Sequence, residues 1–277
     1  PDGHSALPIG GQIKLIALRD RFSPQLDGFN LLYLVSSALP AHAEEIVAAA
    51  RARGARLVWN QNGVAYPGCY GDYYPWCNIR MAALRDQADY ILNQSEFSRA
   101  GAERYLGPSA VPSEICLNPV DTKLFSPAER PLPREPWEIL AAGTSHAPYR
   151  TLSALDTLRV LLARGCPARL TIAGEFRWKD SESQVRSAME GIRDHITLLP
   201  PFRQSEAPDI YRRAHVLLHT KFNDPCPTVP IEAMSCGIPV VGTHSGGLPE
   251  LVPGECGVLA PVPQTWTQDL AGEPPDL

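Results

Sequence analysis

The chain has 277 residues, of which 44% are hydrophobic and 20% are charged. This composition is typical of globular proteins and excludes a disordered or fibrous one. The 25 Lys and Arg residues against 30 Asp and Glu residues give a net charge of −5, which argues against nucleic acid as the main partner. The longest apolar stretch, around Phe29–Pro40, is too short and too polar for a transmembrane segment, and a peripheral membrane contact stays open.

The seven cysteines are an odd number without a CxxC pair. This pattern argues against a zinc site or a disulfide framework and predicts a reducing, cytoplasmic location. The first residues, Pro1–Ser5, lack the basic and apolar regions of a signal peptide. Because the chain begins at Pro rather than Met, we expect upstream residues to be missing.

Apolar and amphipathic segments alternate along the first half of the chain. We predict strands over 31–35, 55–59, 88–93 and 114–117, with helices over 41–53 and 95–106. Ser95 suits a helix start and Gly107 a helix end. This alternation predicts an α/β fold with parallel strands and helices on both faces, a Rossmann-like domain over residues 1–125.

A segment rich in proline and charge, residues 126–136, has the composition of a linker. The alternation then resumes as a second Rossmann-like domain over residues 137–277. Its predicted strands are 138–142, 168–173, 196–199, 216–219 and 239–241, and its predicted helices are 151–164, 181–192, 207–214 and 228–235. Ligands in such sheets bind beyond the carboxyl ends of the strands, so we expect a site in a cleft between two facing domains.

The strongest local signal is the strand, polar loop and helix between His219 and Val241. Thr228 can cap the helix, whose N-terminal end carries a positive partial charge. Asp224 and Glu232 lie eight positions apart and can bind hydroxyls at two places on one ligand while the helix start binds its phosphates. The alternative is that Asp224 is a turn residue and Glu232 a solvated helix residue.

The same segment resembles the GT-B glycosyltransferases of family 4, whose hallmark is a Glu-x7-Glu motif continuing as EAMACGxPVV and GGxPE. Here Asp224 and Glu232 are followed by AMSCGIPVV, and SGGLPE ends at Glu250. Asn118–Phe125 is similar to that family's NGVDxxxF segment, and Ser95–Ser98 to a segment two elements earlier. The resemblance, which covers roughly 88–261, implies a retaining transferase that uses a nucleotide-diphosphate-sugar donor, a carbohydrate or small-molecule acceptor, and no metal or other cofactor.

The resemblance also implies roles for individual residues. Glu232 would bind the ribose hydroxyls of the donor, and Asp224, shorter than the family's Glu, would bind sugar hydroxyls. The amides of Thr228 and Val229 would bind the diphosphate. Gly246 and Gly247 would bring backbone close to the donor, or form a tight turn.

The chain departs from the family at its phosphate-binding cations. Gly143 is followed by Thr144 where the family has Arg. Arg150 stands in for the family's second cation and Lys221 is a candidate replacement for the first, the alternatives being a helix-start Arg and a solvated Lys. His146 lies in a loop after a strand end and is a further donor contact. We expect Asp224, Arg150 and Lys221 to be the catalytic group; Pro225, Pro227 and Pro230 leave fewer amides to face the sugar.

Signals in the first domain are weaker. Gly10 and Gly11 match a glycine-rich loop that the family places near donor phosphates or acceptor, and Asn62 and Gly63 follow a strand. The aromatic residues between Tyr66 and Trp76 form an acceptor platform or pack a long loop onto the domain. The family's strand before Gly10 and its C-terminal helices after Pro261 have no counterpart, so we expect incomplete elements at both ends.

Two other functions fit the same motifs. One is a non-catalytic module that binds nucleotide sugar, which the prolines and the missing Arg favour. The other is a nucleotide-sugar epimerase of the same fold. An NAD-dependent dehydrogenase is disfavoured because neither domain opens with GxGxxG.

Overall fold

The computed structural model describes residues 13–25 and 27–262. Its contacts divide these residues into two compact units. The first runs to Pro119 and includes Pro225–Pro227, and the second holds Val120–Asp224 and the residues from Thr228 onward. Residues 126–136 belong to the second unit. Gly10 and Gly11 lie outside the described residues.

The elements of the first unit are α1 Ile13–Arg21, β1 Leu31–Val35, α2 Ala43–Ala52, β2 Arg56–Gln61, α3 Pro67–Tyr70, α4 Tyr74–Arg85, β3 Tyr90–Asn93, α5 Glu96–Leu106 and β4 Ser113–Ile115. The strands form a parallel sheet in the order β1-β2-β3-β4. The predicted strands all form, and no end is shifted by more than two residues. The buried core joins Leu57 and Trp59 of β2 to Leu84 and Ile91 on neighbouring elements.

The aromatic segment of the first unit is helical rather than a long loop, and its prolines occupy the first turns of α3 and α4, where proline is tolerated. Some of the aromatic residues pack onto the unit, and the acceptor platform stays a prediction. Tyr66 is buried and Tyr74 packs edge-on against Tyr105, whereas Tyr73 and Trp76 are 76% and 74% exposed.

The elements of the second unit are β5 Trp137–Ala142, α6 Pro148–Ala163, β6 Ala168–Ala173, α7 Ser181–Ala188, β7 Ile196–Leu199, α8 Ala207–Tyr211, β8 Val216–His219, α9 Thr228–Ser235, β9 Val240–His244, α10 Leu248–Leu251 and β10 Gly257–Pro261. The strands form a six-stranded parallel sheet in the order β10-β9-β8-β5-β6-β7. Numbered along the chain within this unit, this is the 3-2-1-4-5-6 order of the dinucleotide-binding fold, which reverses between β5 and β8.

The core of the second unit lies between α6 and the centre of the sheet. Ala154, Leu155 and Leu158 of α6 are fully buried against Leu170 and Ile172 of β6. Burial of each large side chain stabilises the fold by about 1.5–3 kcal/mol. Two elements, α10 and β10, were not expected, because both are short and contain proline. Within the described ranges, no helix is both long and apolar enough to span a bilayer.

Candidate functional site

The site of the second unit begins at the loops that follow β5 and β6. Gly143 has a φ of 102°, and its N–H donates to the carbonyl of Ala173 at 2.9 Å. A Cβ on Gly174 would lie 2.5 Å from the carbonyl oxygen of Gly143, so only glycine allows this approach. The paired loops continue through Ser145, whose N–H donates to the carbonyl of Glu175 at 2.8 Å.

The loop after β8 carries Asp224 and is held by hydrogen bonds to the start of α6 and to the turn after β9. Thr220 Oγ1 donates to the carbonyl of Arg150 at 2.6 Å, and the Phe222 N–H donates to the Tyr149 hydroxyl at 3.1 Å. Asn223, at a left-handed φ of 50°, donates its N–H to Ser245 Oγ at 3.3 Å. These bonds fix the backbone of the loop up to Asp224.

Gly246 and Gly247 form a turn against the backbone of Asp224. The Gly247 N–H donates to the Asp224 carbonyl at 2.8 Å. Gly246 has a φ of 63°, and a Cβ there would lie 2.5 Å from the Asp224 carbonyl oxygen. The pair therefore supports the loop that presents Asp224.

Asp224 and Lys221, which the sequence suggests as binders of separate parts of a ligand, form an ion pair with Nζ 2.8 Å from Oδ2. Burial alone would raise the pKa of the Asp224 carboxyl, but the ion pair and hydrogen bond with Lys221, together with electrostatic interactions with His219 and Arg150, outweigh it and hold that pKa below its ordinary value. Asp224 is thus ionised at neutral pH. Its side chain is 14% exposed, against 40% for Lys221.

Arg150 lies at the start of α6 with its guanidinium turned back under the β5 loop. It donates to the carbonyls of Thr144 and Ala142, the latter at 3.0 Å. Burial lowers its pKa, which the charge of Asp224 partly restores. The guanidinium therefore contributes positive charge near Asp224 while two of its donors are already engaged.

His146 is exposed in the loop after β5. Partial burial and the positive charges of Lys221, Arg177 and Arg150 lower its pKa, so it is neutral at neutral pH. Arg177 is paired with Glu175 at 2.7 Å, and Lys221 and Arg150 add positive charge near Asp224, an arrangement suited to an anionic ligand.

Helix α9 begins at Thr228, its first helical residue, and the role of Thr228 as the helix cap stays a prediction. Thr228 and Val229 are both partly exposed. Their position in the first turn is where backbone N–H groups lack intrahelical partners.

Glu232 is buried, at 7% exposure, so the alternative of a solvated helix residue is wrong. Gln204 Nε2 donates to its Oε1 at 3.1 Å, and the Tyr211 hydroxyl donates to its Oε2 at 2.8 Å. Burial raises the pKa of Glu232, and the two hydrogen bonds oppose that effect. Sequence reasoning missed Gln204 and Tyr211, for which the only local signal is their position between β7 and β8.

Asn62 and Gly63 lie in the first unit, where Asn60 and Gln61 prolong β2 beyond its expected end. The Asn62 N–H donates to Ser36 Oγ at 2.9 Å, and the Gly63 carbonyl accepts from Gln61 Nε2 at 2.8 Å. The loop after β2 is therefore tied to its own unit by internal bonds. Among residues 13–25 and 27–262, no cluster of three His, Cys, Asp or Glu side chains is arranged to hold a metal ion.

Comparison with known proteins agrees with the strand order and the motifs. Residues 138–272 match the family described as Glycosyl transferases group 1. A D-inositol 3-phosphate glycosyltransferase of Mycobacterium sp. (strain KMS) is 30% identical over 184 residues, which are 60% of this chain and 40% of that relative. The chain thus spans well under two thirds of the relative's length.

Two solved structures show the same architecture. HepE of Anabaena, in complex with UDP and glucose, has a TM-score of 0.67 at 18% identity, covering 95% of this chain and 72% of the HepE chain. Sucrose-phosphate synthase of Thermosynechococcus elongatus has a TM-score of 0.65 at 18% identity, covering 94% and 68%. The chain therefore has the α/β fold of GT-B glycosyltransferase structures, and its residues 138–272 are similar in sequence to the glycosyl transferases group 1 family.

Proposed function

We propose that the chain belongs to a retaining glycosyltransferase of family 4, which transfers a sugar from a nucleotide-diphosphate-sugar donor. The observation that carries the proposal is the grouping, at the strand-order reversal of the second unit, of an ionised Asp224, a cation at Lys221 and a buried Glu232 beside one helix start. HepE, of the same fold, is described in complex with UDP and glucose, which supports UDP as the first nucleotide to test.

The diphosphate would lie at the start of α9. Lys221 and the N–H groups of Thr228 and Val229 would neutralise its charge, with Arg150 adding a positive field from below the β5 loop. Such preorganised donors favour the transition state, in which negative charge builds up on the departing nucleotide diphosphate. The leaving phosphate would take the proton of the acceptor hydroxyl.

Glu232 would accept hydrogen bonds from the ribose hydroxyls. A carboxylate offers about four acceptor sites, and the protein uses two of them, for Gln204 and Tyr211. Those two bonds fix the orientation of the carboxylate before the donor arrives, which lowers the entropic cost of binding.

The acceptor and the location of the reaction are also proposals. The name of the Mycobacterium relative makes D-inositol 3-phosphate the first acceptor to test. A reducing compartment such as the cytoplasm suits the chain, because none of its seven cysteines is joined in a disulfide.

Calorimetry with UDP tests the donor site. We expect Glu232→Ala to weaken UDP binding at least tenfold, about 1.4 kcal/mol, while Glu255→Ala, at an exposed glutamate, leaves affinity unchanged. Equal UDP affinity of Glu232→Ala and the parent chain would remove the role of Glu232.

A non-catalytic nucleotide-sugar module is the second candidate, favoured by the pairing of Asp224 with Lys221 and by the three prolines around the helix start. UDP release from UDP-glucose, measured with and without acceptor, separates the two. Tight binding of UDP without release favours the module, and release that depends on acceptor favours the transferase. Conversion of the nucleotide sugar to an isomer without transfer points to the epimerase.

A further inference from the structure

His219, the last residue of β8, carries an unexplained nitrogen. The side chain is 2% exposed, and its Nε2 has no hydrogen-bond partner in the part of the chain that the structure describes. A buried polar group without a partner destabilises the fold, and native proteins contain few of them. The carboxylate of Asp224 lies nearby, with Oδ2 4.0 Å from Nε2.

The imidazole of His219 is neutral. Burial lowers its pKa to about 3, and the charge of Arg150 acts in the same direction. A neutral imidazole has one N–H, and the negative oxygen of Asp224 favours the tautomer that carries it on Nε2. The Nε2–H group of His219 therefore faces the carboxylate of Asp224, at a distance about 1 Å longer than a normal hydrogen bond.

Lys221 binds the same oxygen of Asp224 that His219 faces. The Nζ of Lys221 lies 2.8 Å from Oδ2. The two partners of Asp224 differ in freedom: His219 is locked in the strand and fully enclosed, whereas the Lys221 side chain is 40% exposed on a flexible stem. Lys221 is thus the partner that can move away. If it did, the nearly buried carboxylate of Asp224 would have no positively charged or hydrogen-bonding partner, which is energetically costly unless another group takes the place of Lys221.

We propose that His219 is a positioning residue that donates a hydrogen bond to the carboxylate of Asp224 when Lys221 moves from that carboxylate to the phosphate of an incoming ligand. This inference rests on the proposed function, because it assumes an anion at Lys221. The Asp224 backbone stays in place, since Gly246 and Gly247 pack against it, and only the carboxylate turns, by about 1 Å, to accept from Nε2–H. Asp224 then stays ionised and oriented while Lys221 neutralises the ligand.

This change of the partner of Asp224, from Lys221 to His219, should be visible in the 1H–15N correlations of the His219 imidazole. We expect the Nε2–H proton of His219 to move downfield when UDP or inorganic pyrophosphate is added, and the signal to be absent in His219→Phe. In Lys221→Met, where Asp224 has lost its cation, the signal should lie downfield before any ligand is added. Lys179→Met, at an exposed lysine, should resemble the parent chain.

The affinities provide an independent readout. His219→Phe keeps the ring volume without a donor, and we expect it to weaken UDP and pyrophosphate binding about tenfold while the unliganded protein stays folded. The proposed change of partner is wrong if UDP binds without moving the Nε2–H signal and the signal of Lys221→Met is also unshifted. That result would leave the proposed donor site unaffected. Absence of UDP binding to the parent chain overturns the proposed function itself.

Discussion

The backbone N–H of Gly247 donates to the carbonyl of Asp224 at 2.8 Å, and this bond ties the turn after β9 to the loop after β8. The segment around Asp224 and the GGLPE segment, which begins about twenty positions later in the sequence, are therefore in direct contact. The GGLPE segment shapes the backbone from which Asp224 projects, so changes in the glycine pair should act on Asp224.

Gly246→Ala should destabilise the second unit. The new Cβ would lie 2.5 Å from the Asp224 carbonyl oxygen at a left-handed φ of 63°, and strain plus overpacking amount to roughly 2–4 kcal/mol. Thermal denaturation measures the loss, with Gly254→Ala as the matched control because its Cβ meets no atom within 4 Å. Equal stability of the two variants contradicts the packing of Gly246 on Asp224.

Tyr149→Phe should loosen the loop that carries Asp224. The Tyr149 hydroxyl accepts the N–H of buried Phe222 at 3.1 Å, and leaving that N–H unpaired costs about 1–3 kcal/mol. We expect a lower melting temperature and weaker UDP binding. Tyr73→Phe, at a side chain that is 76% exposed, should change neither, and a similar absence of effect at Tyr149 would show that its hydroxyl does not hold the loop.

Most strands, and the helices that the sequence predicts, are marked locally by an apolar run, a helical period or a glycine stop, whereas α3, α4, α10 and β10 contain proline and are not predicted. It groups Asp224 with Glu232 through their spacing on one strand–loop–helix segment. It does not reveal that Tyr211 and Gln204 hold Glu232, since those residues come from another helix and another loop. The pairing of Lys221 with Asp224 depends on the left-handed turn at Asn223, which no local pattern marks.

Glu232→Gln should separate stability from binding. Burial raises the pKa of Glu232 in the folded state above its ordinary value. The protonated form of Glu232 therefore stabilises the fold at pH values below the ordinary pKa, and this stability is lost as the pH rises through the folded-state pKa. At pH 7.5 the ionised carboxylate therefore weakens the unliganded fold, and a neutral amide of the same shape avoids this.

We expect the urea midpoint of Glu232→Gln to rise at pH 7.5 and the gain to vanish at pH values below the ordinary pKa of Glu, about 4.3, while UDP affinity falls about tenfold, or 1.4 kcal/mol. Glu255→Gln, at an exposed position, is the control. A midpoint that falls at pH 7.5 would mean that the charged form of Glu232 stabilises the fold.

His219 should make the second unit sensitive to acid. Its pKa falls from 6.5 to about 3 in the folded state, so in the interval between these values the unfolded chain binds a proton that the native chain does not. The associated stability is present above pH 6.5 and is lost as the pH falls toward 3, at a slope of up to about 1.4 kcal/mol per pH unit.

Urea denaturation at several pH values between about 6.5 and 4.5, the upper part of this window, measures that slope. In His219→Phe the titrating group is gone, so we expect a slope shallower by close to one proton. His244→Phe, which removes an exposed histidine, is the matched control. If the His219→Phe and parent slopes coincide, the imidazole already takes up its proton in the native state, and a charged His219 would then pair with Asp224 without waiting for Lys221 to leave.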